Sequence, residues 1–195
     1  MISNEKILVS TLQGKRPERV PFWFMRQAGR YLPEYRALRS KSKNFLEFCY
    51  HPEMACEATL QPIKRFHMDG AIIFSDILVV PHALGMEVWF VEGEGPRLTP
   101  LVNEAMLSNL SLDSVSEKLV PVYEALSLVK KALPNETTLI GFAGSPWTLA
   151  CYAVEGKSSK DFANVKALAK AQPTFFKQLL SLFSDAVILH IKNQI

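Results

Sequence analysis

Cysteine is scarce and unpatterned in this chain. Cys49, Cys56 and Cys151 are the 3 cysteines. Their odd number and the lack of any CxxC spacing set aside a disulfide framework and point to reduced thiols in a cytosolic protein. Charge of neither sign dominates: 22 Lys+Arg against 19 Asp+Glu leave a net +3, which does not demand nucleic acid and suits an acidic ligand. No apolar run approaches the length expected of a bilayer span. The N-terminus is polar at Ser3, Asn4, Glu5 and Lys6, so no signal peptide is expected. Internal repeats and low-complexity tracts are missing, as are GxGxxG, phosphate-loop and GxSxG motifs. His51, His67, His82 and His190 have no metal-ligand spacing with one another or with the cysteines, and His82 reads as a loop or packing residue. What remains is an ordinary globular composition, 48% hydrophobic and 21% charged over 195 residues, read as a single domain, 1–195, with a sizeable core.

The most informative stretch is Pro21-Phe22-Trp23-Phe24-Met25-Arg26-Gln27-Ala28-Gly29-Arg30-Tyr31-Leu32-Pro33-Glu34-Tyr35-Arg36. Pro21 to Met25 is apolar and aromatic with Pro first, which predicts a buried strand. Arg26 and Arg30 follow at once, with Gly29 between them allowing a turn that a side chain would forbid. Pro33 biases Leu32 away from helix and can open the next one. Guanidiniums stay charged at any working pH and grip carboxylates in a bidentate fork, so the loop suits an anionic ligand. The alternative is a pair of surface arginines after a strand.

Along the chain, Asn4 to Gln13 reads as a short helix stopped by Gly14. Pro33 to Ser40 reads as a second helix. The basic run Arg36, Arg39, Lys41 and Lys43 fits a solvated face better than a nucleic-acid patch, because no nucleic-acid module signature accompanies it. Pro52 opens a helix to about Phe66, with a kink expected at Pro62. Ala71 to Phe74 is an apolar run of the kind covered on both faces of a parallel sheet, ending in Ser75-Asp76. In an α/β barrel such a position faces the active site; the alternative is that Ser75 or Asp76 caps the next turn. Pro81, His82 and Gly85 are expected to break the run Ile77 to Val80. Glu87 to Val91 reads as a short strand and Gly93, Gly95 and Pro96 as a loop. Thr99 to Ser111 reads as loop with a helical turn. Ser114 and Glu117 form a capping-box pair before an amphipathic helix with Leu119, Val122, Tyr123, Leu126, Val129 and Leu133 on one face. Thr138 to Phe142 is the next strand, and Pro146 opens the helix that carries Tyr152. Asp161 to Ala171 and Pro173 to the end read as two further helices, the last lined by Phe176, Leu179, Leu180, Phe183, Val187 and Ile191. Helices alternating with apolar strands predict a parallel α/β fold.

The string MRQAGRYLPEYR (Met25 to Arg36), with AIIFSDILVV (Ala71 to Val80) and LIGFAGSPWTLACYAVEG (Leu139 to Gly156), resembles the uroporphyrinogen decarboxylase family. Gly93 to Leu98 fits its intervening loop loosely. The resemblance implies a TIM (β/α)8 barrel, of which this chain would be the N-terminal half, since such a barrel takes about 250 residues. A half-barrel would leave an unpaired edge and apolar surface, hence the expectation of instability alone or need of a partner. The resemblance further implies removal of acetate carboxyls from uroporphyrinogen without metal or organic cofactor, a homodimer, and no nucleic-acid or membrane partner. It makes Asp76 the catalytic aspartate. Arg26, Gln27, Ala28, Gly29 and Arg30 become the substrate-binding loop, in which Arg26 and Arg30 bind carboxylates, and Tyr152 a substrate-contacting hydroxyl. Arginine, with a pKa above about 12, is a poor general acid, so no proton donor is assigned. A corrinoid-linked methyltransferase of the same fold and an inactive tetrapyrrole-binding fragment are the rival readings.

Overall fold

The computed structural model describes residues 6–91 and 93–195. In chain order the elements are α1 (Ile7–Leu12), α2 (Pro33–Arg39), α3 (Phe45–Cys49), α4 (Pro52–Phe66), β1 (Gly70–Ile72), α5 (Val79–Leu84), β2 (Val88–Val91), β3 (Gly95–Leu98), α6 (Glu104–Ser108), α7 (Val115–Lys118), α8 (Val120–Ala132), β4 (Thr138–Ile140), α9 (Pro146–Glu155), α10 (Ala163–Ala171) and α11 (Pro173–Gln194). They divide into two compact units. One runs to Ser75 and resumes over Pro121–Phe142; the other comprises Asp76–Val120 and Ala143–Ile195.

The first unit is built on a parallel pair, β1 beside β4, with Gly70 opposite Thr138 and Ile72 opposite Ile140. The pairing runs slightly past both strands, through Thr138 N–H to Asp69 O (2.8 Å) and Ile73 N–H to Ile140 O (3.0 Å). Parallel strands need helices on their faces. Ala55, Cys56 and Leu60 of α4 and Ala125, Leu126 and Val129 of α8 bury Ile73 between them. A second cluster joins Leu32, Tyr35, Phe48 and Ala58, with the Phe48 and Phe74 ring centroids 4.7 Å apart. Burial there pushes the Tyr35 hydroxyl up to about 12. Thr59 Oγ1 accepts the Phe74 N–H at 2.9 Å, which ties α4 to the chain leaving β1. The helix α3 has no clear signal in the sequence pattern. Its start is fixed by Asn44, whose Oδ1 accepts the Glu47 N–H at 2.8 Å, while Glu47 Oε2 accepts the Lys43 N–H at 2.7 Å. The expected first helix is present as α1, followed by Gly14 at φ +84°; its first expected residues, Asn4 and Glu5, lie outside the described residues.

One expectation fails here. Pro21 to Met25 forms no strand, and Phe22, Phe24 and Met25 are 43%, 61% and 72% exposed. The segment starts alongside β1, with the Asp69 N–H on Phe22 O at 3.0 Å. Its ladder stops there because the next polar groups on that edge of β1, Gly70 C=O and Ile72 N–H, are occupied by the Gln27 side chain. The approach is close: a Cβ on Gly70 would sit 3.2 Å from Trp23 Cβ and 2.9 Å from Ile140 Cδ1.

The second unit is mostly helical. α11 packs on α5, α7, α9 and α10, burying Phe175, Phe176, Leu179, Phe183, Ala186, Val187 and His190. Ile191, expected on that face, is 44% exposed. At 22 residues α11 is also long and apolar enough, by length and composition, to cross a membrane, which corrects the expectation that no such run exists. The strands β2 and β3 pair antiparallel, Val88 opposite Leu98 and Val91 opposite Gly95, so the expected Gly/Pro loop is in part a strand. Pro96 is tolerated because a two-stranded hairpin has only edge strands. The hairpin is tied to the end of α9 by Leu98 N–H to Gly156 O and Leu101 N–H to Ala153 O, both 2.8 Å. Two further corrections concern proline. Pro81 lies in the first turn of α5, where a missing N–H has no helical partner to lose, and the helix runs on to Gly85 at φ +111°. The Ser114 side chain makes no capping bond. Pro121 cannot donate to Glu117 C=O and its ring clashes there, so the expected single helix is split into α7 and α8. Cys49, Cys56 and Cys151 are buried and form no disulfide among the described residues.

Candidate functional site

The arginine loop belongs to the first unit. Arg26 and Arg30 are exposed, and neither forms an ion pair or side-chain hydrogen bond among the described residues of that unit. The turn between them is closed by Leu32 N–H on Gly29 O at 3.1 Å and by the Tyr31 hydroxyl donating to the Gln27 carbonyl. Ala28 packs against the cluster of Leu32 and Tyr35. Gln27 behaves differently from its neighbours. Its side chain is 3% exposed, with Nε2 donating to Gly70 O at 2.7 Å and to Met68 Sδ at 3.1 Å, and Oε1 accepting the Ile72 N–H at 2.9 Å. The stretch before the loop is held by Asp69, whose two oxygens take a bidentate pair of hydrogen bonds from Arg19 (2.6 and 2.7 Å) and one from the Phe22 N–H (2.8 Å). The Arg19 guanidinium holds the Asp69 carboxyl below its ordinary value, against the opposing effect of burial. So two arginines are left available for an anion while a third is consumed by structure.

Asp76 opens the second unit. Its Oδ1 accepts the Leu78 N–H at 2.8 Å, so the capping alternative describes one of its oxygens. The other makes no hydrogen bond or ion pair among the described residues of the unit. Burial raises the Asp76 carboxyl above its ordinary value, and the Leu78 N–H opposes this. A half-buried carboxylate with a free oxygen is disposed to receive a positive or N–H-bearing group. Tyr152 is half-buried on α9, and its hydroxyl has no protein partner among the described residues of the unit. The N-terminus of α9 is fixed by Ser145 Oγ, which accepts the Thr148 N–H at 3.2 Å.

Sequence reasoning missed the buried roles of Gln27 and Asp69. Both depend on partners more than forty positions away, which no local pattern records. His82 is half-buried, and burial first, then Lys118, lowers its imidazole below the ordinary value. It lines a cavity of about 330 Å³ with Met86, Glu87 and Lys118. A second cavity of about 460 Å³, in the first unit, is lined by Lys41, Glu47, His51 and Met54 among others. Neither is lined by Arg26, Arg30, Asp76 or Tyr152, so these cavities do not mark the expected chemistry.

Among solved structures, a methyltransferase from Methanosarcina mazei superposes with TM-score 0.70 at 16% identity, over 98% of this chain and 55% of that one; this is a likeness of fold alone. Curated uroporphyrinogen decarboxylases are much nearer in sequence. That of Sphingopyxis alaskensis is 52% identical over the whole chain and 56% of its own length, and that of Xylella fastidiosa 49% identical over the whole chain and 55% of its own length. The chain therefore spans about half the length of these relatives. The family model for uroporphyrinogen decarboxylase (URO-D) matches residues 3–195, and on that match the chain belongs to the uroporphyrinogen decarboxylase family.

Proposed function

We propose that this chain serves the decarboxylation of the acetate side chains of uroporphyrinogen III to give coproporphyrinogen III, as the N-terminal half of a (β/α)8 barrel acting in the cytoplasm as a homodimer. The observation that carries the reading is Asp76: a half-buried carboxylate just beyond β1 with one oxygen held by Leu78 N–H and the other free. Loss of CO2 from an acetate on a pyrrole needs an acceptor for the electron pair of the breaking C–C bond. Protonation of the ring carbon beside the one that bears the acetate makes the ring cationic, and the pair is taken up as an exocyclic double bond at the acetate-bearing carbon. A second proton then fills the methylene that CO2 left, giving a methyl group, and the ring proton is lost again. The substrate is thus its own electron sink. Asp76 directed at the pyrrole N–H groups stabilises the cation, an electrostatic role of the preorganised kind. Arg26 and Arg30 bind the carboxylates that are not reacting and so choose the acetate presented. Ala28 and Gly29 complete the loop, and the Tyr152 hydroxyl contacts substrate. Membership of the family and the free guanidiniums support this assignment.

The test is product analysis after incubation with the reduced octacarboxylate tetrapyrrole without added metal. Stepwise loss of carboxylates supports the reading. Binding without turnover makes the chain a tetrapyrrole-binding protein, and metal-dependent methyl transfer makes it a methyltransferase; either overturns it. Arg26→Ala and Arg30→Ala should each raise KM about tenfold, the equivalent of ~1.4 kcal/mol, with a smaller change in kcat. An unchanged KM in both would remove the arginines from substrate binding.

A further inference from the structure

We infer that Gln27 is a positioning residue for the arginine loop: its side-chain amide stands in for a strand residue on the edge of β1 away from β4, and thereby sets where Arg26 and Arg30 are held. In a parallel ladder, one residue of a neighbouring strand offers its N–H to one carbonyl and its C=O to the N–H two residues on. Gln27 supplies that pair from its side chain, Nε2 to Gly70 O at 2.7 Å and Oε1 to Ile72 N–H at 2.9 Å. The orientation of the amide follows from its partners, because a carbonyl only accepts and an N–H only donates. The backbone of the same residue is pinned by the Tyr31 hydroxyl. Upstream, Asp69 binds Arg19 and the Phe22 N–H. The chain from Arg19 to Tyr31 is therefore attached beside β1 by one backbone bond, Asp69 N–H to Phe22 O, and two side-chain latches instead of by a continued ladder, and the second latch adjoins Arg26. Reacting groups displaced by ~1 Å lose up to about 100-fold in rate, so a latch of this kind governs how well the guanidiniums meet a carboxylate. This inference rests on the proposed function.

Three measurements test it. In the intact protein, the Ile72 N–H should be protected from hydrogen exchange to the same order as the Ile73 N–H, which bonds Ile140 O; free exchange at Ile72 overturns the inference. Gln27→Met keeps the side-chain length and removes both hydrogen-bonding functions. It should lower Ile72 protection by about tenfold or more and raise KM for the reduced tetrapyrrole by about tenfold, with kcat changed less, as expected when binding geometry is lost. Saturating uroporphyrin, the oxidised and unreactive porphyrin, should increase Ile72 protection in the unaltered protein, because coupling between loop and ligand is reciprocal. Should Gln27→Met not fold, this last measurement decides. A raised KM with Ile72 protection intact would make Gln27 a direct substrate contact. Lost protection with KM intact would make it purely structural. Either result overturns the positioning role. If Arg26→Ala and Arg30→Ala also leave KM unchanged, the proposed function itself has failed and this inference falls with it; if they raise KM and Gln27→Met does not, only this inference falls.

Discussion

Asp76→Asn should lower kcat by about 10²–10³, the usual cost of removing one preorganised electrostatic group, while the protein becomes more stable at neutral pH. The two effects have one cause. Asparagine keeps an Oδ1 for the Leu78 N–H, so the capping bond at 2.8 Å survives, but it carries no charge to meet the cationic pyrrole of the proposed reaction. Burial holds the Asp76 carboxyl above its ordinary value, so folding favours the protonated form. Stability relative to the asparagine variant must then fall as pH rises from the unfolded carboxyl's value, ~3.9, through the raised native one, because the unfolded chain binds fewer protons over that window. Above it the variant should melt at a higher temperature than the parent. Below pH ~3.9 both side chains are neutral and the difference should close. Steady-state kinetics with melts across that pH range check this; full activity in the variant, or a lower melting temperature at neutral pH, would refute it.

Gly156→Ala should destabilise the second unit by about 3 kcal/mol. Gly156 follows α9 at φ +70°, where an L residue is strained by ~1–2 kcal/mol. A Cβ there would lie 2.7 Å from Pro100 Cγ and 2.9 Å from Leu98 O. The second contact is backbone, which cannot rotate away, and overpacking of this kind costs ~1–3 kcal/mol. Relief requires moving the hairpin off α9, with loss of the Leu98 N–H to Gly156 O bond at 2.8 Å. Denaturant unfolding is the measurement; a midpoint within error of the parent would mean that the hairpin has more freedom than its contacts imply.

Much of this architecture is written in local patterns. The helices α4, α8 and α11 carry apolar residues at helical spacing, and α4 and α11 begin with proline; β1 and β4 stand out as short apolar runs. Pro21 to Met25 carries the same apolar signal and yet forms no strand, because strand formation there depends on who occupies the edge of β1. The occupant, Gln27, is an amide that hydrophobic periodicity cannot see. Proline is an ambiguous signal: Pro81 does not break the chain, because the first turn of α5 accepts it, whereas Pro121 divides α7 from α8. For the proposed site, the arginine loop draws attention in the sequence because its chemistry is contiguous, and Asp76 because it is the first acid after a buried run. The Arg19–Asp69 pair, fifty positions apart, leaves no local trace.

The three buried thiols have a practical consequence. A thiol reacts with alkylating reagents only as thiolate and only when reached; burial raises both Cys56 and Cys151 above their ordinary values. Modification in the native protein must therefore wait for local opening. Cys56 lies in the first unit and Cys151 in the second, so their two alkylation rates act as separate clocks for how often each unit breathes.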